Sequence, residues 1–133
     1  MGGRGTFAAG NNVPYSYKVV GMINGVKVLQ GVSGKHGLPE SSHSSNAYIK
    51  LKPDGTFHEM RFYNNQHYLT MEIAYHPEPF LTGERHTPVL HYHLYDVRFS
   101  ANKVGPFERS VAKPLTNEMK VKYNRFFIGI ENI

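Results

Sequence analysis

Apolar and polar residues alternate with a period of two through residues 48–76 and again through 89–95, and only near the end of the chain does the spacing widen to three or four. That pattern predicts a β-sheet followed by one helix. Residues 15–22 and 26–30 flank Asn24-Gly25, a pair in which both residues accept positive φ, so a tight hairpin joins the first two strands. Residues 48–52, 56–63 and 68–76 supply three more. The turns between them are Pro53-Asp54-Gly55 and Asn64-Asn65, which makes this part an antiparallel meander. Pro77, Pro79 and Gly83 then interrupt pairing before a last strand over 89–95. Residues 31–46, rich in Gly, Ser and His and containing Pro39, read as a long loop of the kind that often carries function. At residues 116–128, Met119, Tyr123, Phe126 and Phe127 share a helical stripe, with Thr116 as its cap and Gly129 as its stop.

Period two also sorts the faces. Ile49 and Leu51, Met60 and Phe62, Leu69, Met71 and Ile73, then Leu90 and Leu94 fall on one side, which the helix is expected to cover. Tyr48 and Lys50, Glu59 and Arg61, Glu72 and His76, His91 and His93 fall on the other. The expected fold is a single α+β domain over residues 15–133: an antiparallel β-sheet of about six strands, with a C-terminal helix on one face and an open polar surface on the other. Residues 1–14 are glycine-rich, offer little to bury, and read as a flexible arm.

Charge and composition narrow the chemistry. The 133 residues include 15 Lys+Arg against 10 Asp+Glu, a net charge of +5 that suits an anionic partner such as RNA. With no cysteine, disulfides, thiolate metal sites and a cysteine nucleophile are all excluded. No apolar run approaches the roughly 18 residues of a membrane span, and Met1-Gly2-Gly3-Arg4-Gly5 lacks the apolar core of a secretory signal, so a cytoplasmic protein is expected.

The densest chemical feature is histidine: His76, His86, His91 and His93 lie within eighteen positions, and His91-Tyr92-His93 places two rings on one side of a strand. Imidazole serves both proton transfer near neutral pH and metal ligation. Without a metal, cleavage of RNA through its 2′-hydroxyl needs a base, an acid and a cation. His91 and His93 are the candidate acid–base pair, His76 assists, and Arg61 and Lys50 stabilise phosphate charge. Tyr48 and Tyr63 are candidate stacking surfaces for bases, with Glu72 beside them as a substrate-binding group. The same charged residues also read as cross-strand ion pairs on a solvated sheet face. His58 and His67, near turns, read as surface residues. With no His-Glu-x-x-His helix and no acidic cluster, no metal ligands are assigned and no cofactor is required; three strand histidines leave zinc as the alternative.

A resemblance sharpens this. The segments 60–65 (Met-Arg-Phe-Tyr-Asn-Asn), 72–77 (Glu-Ile-Ala-Tyr-His-Pro) and 86–96 (His-Thr-Pro-Val-Leu-His-Tyr-His-Leu-Tyr-Asp) resemble, in order, the Arg-x-Tyr strand, the acidic-Ile-acidic-Tyr strand and the His-x-His segment of histidine-rich, RNase-like domains of bacterial polymorphic toxins. Ala74 stands where that family usually has an acid, and Leu90 where a proline often precedes the His-x-His pair. The start Gly2-Gly3-Arg4-Gly5 resembles small proteins encoded among phage and prophage head genes. What the resemblance implies is a phage-associated, RNase-like toxin domain in the bacterial host cell or on the virion, with RNA, an immunity protein or a phage structural protein as partner and no membrane. The alternatives are a noncatalytic phage accessory protein that binds nucleic acid or a virion protein, and a histidine-ligated metal-dependent hydrolase.

Overall fold

Asn24 and Gly25 take φ values of 49° and 84°, both in the left-handed region that the two-residue turn demands. They close β1 (Ser16–Ile23) onto β2 (Val26–Ser33). The computed structural model describes residues 16–33, 38, 46–95 and 110–131. The proposed arm at residues 1–14 and most of the 31–46 loop, with His36 and His43, lie outside them. The meander follows as expected: β3 (Ala47–Leu51), β4 (Phe57–Tyr63) and β5 (Leu69–Pro77) pair in antiparallel succession. A single turn of helix, α1 (Pro79–Thr82), starts at a proline and stops at Gly83 (φ 75°). β6 (Pro88–Leu94) then returns along β5. After β7 (Lys113–Pro114), the chain ends in α2 (Asn117–Tyr123) and a 3-10 turn, Asn124–Phe126.

Among the described residues the result is one mixed sheet of seven strands in sequential order, with a short C-terminal helix. Two expectations need correction. The strand count rises from about six to seven because β7, two residues containing a proline, has no period to detect. The sheet is also not wholly antiparallel, since β2 and β3 run parallel, Lys27 opposite Tyr48 and Val28 opposite Ile49. The connection between them is long enough to carry the chain back to its starting end, which a hairpin cannot do. The helix is shorter than the stripe over 116–128. Thr116 caps it as expected, its Oγ1 accepting from the Met119 N–H at 3.1 Å, but Phe126 and Phe127 belong to the tight turn and the extended tail beyond.

One face of the sheet carries the main core: Val28, Ile49, Phe57, Met60, Ile73 and Leu90 pack beneath Leu115, Phe126 and Phe127, with Met119 and Tyr123 of α2 against them. The tail is tied down where the Phe57 N–H donates to the Ile128 carbonyl at 2.8 Å. The opposite face is not the open polar surface expected. At the end of the sheet near Tyr63 it holds a second cluster of Leu29, Leu38, Tyr48, Tyr63, Leu69 and Tyr95, and beside this Glu72, His91 and His93 are buried as well. Leu69 reaches that side because a register shift between Phe62 and Tyr63 breaks the alternation. Leu94, assigned to the core by alternation, is exposed. No helix among the described residues is long and apolar enough to cross a membrane.

Candidate functional site

Cross-strand register assembles the site on the second face. Tyr48, Arg61, Glu72 and His93 stand opposite one another along successive strands, and Lys50, Glu59, Ala74 and His91 form the adjacent line. His76, two residues beyond Ala74, points to the same side. A bulge adds a fourth ring. Lys50 pairs with Glu59 and Leu51 with Phe57, which leaves His58 as the extra residue and turns it toward His76. Four imidazoles then run in unbroken contact: His58 to His76 at 6.1 Å between ring centres, His76 to His91 at 4.6 Å and His91 to His93 at 5.4 Å.

Three of these rings are held by the same device. The Nδ1 atoms of His76, His91 and His93 lie 3.0, 2.8 and 2.9 Å from the carbonyl oxygens of Pro77, Val89 and Ser110. A carbonyl only accepts, so each Nδ1 carries a hydrogen, and a ring in its neutral form then keeps its lone pair on Nε2. The Nε2 of His91 is buried without a hydrogen-bond partner among the described residues, and the group it approaches is the Glu78 carboxylate, at 3.9 Å. Leaving such an atom unsatisfied costs about 1–3 kcal/mol, so its position calls for an occupant.

Glu78 was missed by the reading of the sequence. It lies between Pro77 and Pro79, which restrict the backbone on both sides, and its carbonyl accepts from the N–H groups of Leu81 and Thr82 at the start of α1. Two residues after His76, it brings a carboxylate toward His91, whose cross-strand neighbour Ala74 has none. One donor atom from each of His76, Glu78 and His91 lies within 4.8 Å of the others. Two ring nitrogens and one carboxylate oxygen could together hold a metal ion, with each Nδ1 resting against a carbonyl.

Burial favours the neutral form of two of the rings, His91 and His58. Burial lowers the His91 pKa, and His76 and His93 reinforce the shift against the opposing pull of Val89 and Glu78. Burial likewise lowers that of His58, helped by Lys50, His76 and Lys52 and opposed by Glu59.

Arg61, Glu72, Tyr48 and Tyr63, also expected at the site, are packed within the protein. The Arg61 Nε donates to Glu72 Oε2 at 2.6 Å and its Nη1 to the Leu38 carbonyl at 2.7 Å, so the guanidinium that was to stabilise phosphate is committed within the protein. Burial alone would lower its pKa, but Glu72, with Tyr95 and Glu59 adding, outweighs that and raises it above the ordinary value. Glu72, expected to bind substrate, is the buried partner in this pair. Tyr48 and Tyr63, the expected stacking surfaces, pack edge to face in the second cluster at 5.4 Å and are buried there. His91 and His93 do meet, as the His-x-His spacing requires, but at 0% and 4% exposure neither ring faces open solvent. Lys50 is half-buried near His58, and His86 is exposed on the connection from α1 to β6. Comparison with protein-family models, with curated proteins and with solved structures finds no match for this chain.

Proposed function

We propose that this chain is a hydrolase of phosphodiester bonds in RNA, with a divalent transition metal of the zinc class held by His76, Glu78 and His91. The observation that carries the reading is the His91 Nε2: buried, without a hydrogen-bond partner among the described residues, and aimed at a carboxylate beside a second imidazole. A bound ion would act as a Lewis acid and bring the pKa of a coordinated water to about 7. The protein's own part is to hold the two rings in the correct tautomer and to keep Glu78 within reach through the start of α1. His93 abuts His91 and His58 abuts His76, so the ligand rings are braced from both sides. The net charge of +5 supports an anionic substrate, and the resemblance to RNase-like toxin domains supports RNA.

A second reading keeps the rings and omits the ion. His76 and His91 would pass protons to and from the ribose 2′-hydroxyl and the departing 5′-oxygen, and the lowering of the His91 pKa by burial favours its basic form. Labelled RNA incubated with chelator-treated protein, before and after zinc is restored, separates the two. Cleavage only after zinc supports the metal centre, and cleavage indifferent to chelator supports proton transfer alone. Binding without cleavage supports a noncatalytic accessory role and overturns both.

A further inference from the structure

We infer that the cleft between β2 and β3 is a nucleotide subsite that delivers an RNA phosphate to the histidine row. This rests on the reading of that row as a phosphodiesterase centre. The cleft arises from the topology. β2 and β3 run parallel and are registered only at Lys27–Tyr48 and Val28–Ile49; beyond that point β2 continues paired to β1 alone while β3 ends at the Pro53-Asp54-Gly55 turn. The strands part and leave an opening of about 540 Å³. That lies inside the roughly 300–1,000 Å³ typical of small-ligand sites.

Two bulges point residues into this opening. In β1, Val19 pairs with Leu29 and Gly21 with Val28, so Val20 is an extra residue, just as His58 is in β4; both line the cleft. Bulges re-aim side chains and are frequent next to reactive sites. The lining is mixed: Val20, Leu29 and Pro53 offer apolar surface for a base or sugar, Lys50, Lys52 and His58 bring basic groups, and no carboxylate is among the described residues lining the cleft. Apolar surface together with basic groups fits a nucleotide better than a free phosphate or an uncharged ligand. His58 belongs both to this wall and to the row, 6.1 Å from His76, so a phosphate held there lies next to the proposed reactive centre.

The test uses the full chain and a probe that the site cannot cleave, adenosine 3′-monophosphate, with adenosine and inorganic phosphate as separate arms, followed by amide chemical shifts. The mononucleotide is expected to shift Val20, Leu29, Lys50 and His58 saturably. Val20→Asp and Lys50→Gln, at an exposed and a half-buried position, should each weaken it at least tenfold, while His91→Ala leaves it within twofold. Inorganic phosphate binding as tightly as the nucleotide, or Val20→Asp binding normally, overturns the subsite. RNA cleavage with no shift at the cleft overturns it too and leaves the hydrolase reading intact; saturable binding in the cleft without cleavage under any metal keeps the subsite and removes the catalytic reading.

Discussion

The two faces of this sheet are built by the same strands one residue out of phase, and they reach stability by different means. On the face beneath α2, Ile49, Phe57 and Ile73 are fully buried among other apolar groups, and their contribution is non-directional and grows with area. On the opposite face the buried groups are Glu72, His91 and His93, which are tolerable only with partners of the correct geometry. Glu72 has such a partner in Arg61, whose guanidinium is held in turn by the Leu38 carbonyl. At His91 the arrangement is incomplete among the described residues, because Nδ1 is bound and Nε2 is not. The lesson is that the unsatisfied atom falls on the face where partners are obligatory, which is why we place chemistry there.

The strongest way to break this contrast is at His91. His91→Ala is expected to abolish zinc binding measured by calorimetry, and with it cleavage. For the unaltered protein, saturating zinc at about a thousand times Kd should add about 4 kcal/mol to stability, and that increment should vanish in the variant. Glu78→Gln should weaken zinc without changing the melting temperature of the metal-free protein. A zinc response that survives His91→Ala would remove the metal centre altogether.

The counterpart on the apolar face is Phe57→Ala. Phe57 is fully buried and meets Phe127 edge to face at 5.0 Å, so its loss should cost about 3–5 kcal/mol in denaturant unfolding, whether or not zinc is present. Between the two lies Arg61→Met, which strands the Glu72 carboxylate and should cost a similar amount, about 3–5 kcal/mol. Arg61→Met combined with Glu72→Leu should recover most of that loss, because the penalty lies in the unpaired charge rather than in the pair. No recovery in the double variant would mean that the pair does more than satisfy itself.

How much of this was legible in the sequence depended on whether a local rule decided the outcome. Asn24-Gly25, Pro53-Asp54-Gly55 and Thr116 specify their turns and cap through their own backbone preferences, and all three stand where they were read. His91 and His93 share a face because a strand permits nothing else. What stayed hidden depends on long-range pairing. His58 has the parity of Met60 and joins the row only through the bulge opposite Lys50, which no alternation pattern records. Glu78 follows a strand end and precedes a proline, so nothing local points it at His91. The burial of the polar face depends in part on Leu38, a residue of the 31–46 loop, whose N–H and carbonyl contact Glu59 and Arg61. The parallel pairing of β2 with β3 is likewise a property of where that connection returns.

The smallest expected effect is also the sharpest test of whether the two faces act independently. Thr116 Oγ1 caps α2 through the Met119 N–H, and α2, only seven residues long, packs against the sheet through Met119 and Tyr123. A helix this short draws its stability from packing and from its cap rather than from its own length. Thr116→Ala should therefore cost about 1 kcal/mol of stability. Zinc affinity should not change, because no described contact joins the cap to His76, Glu78 or His91, and effects at separated sites add. A stability loss with unchanged zinc affinity would establish that the apolar face supports the sheet without tuning the histidines. If zinc affinity falls in step with stability, the strands transmit strain from one side to the other, and the offset by one residue does not insulate the chemistry from the core.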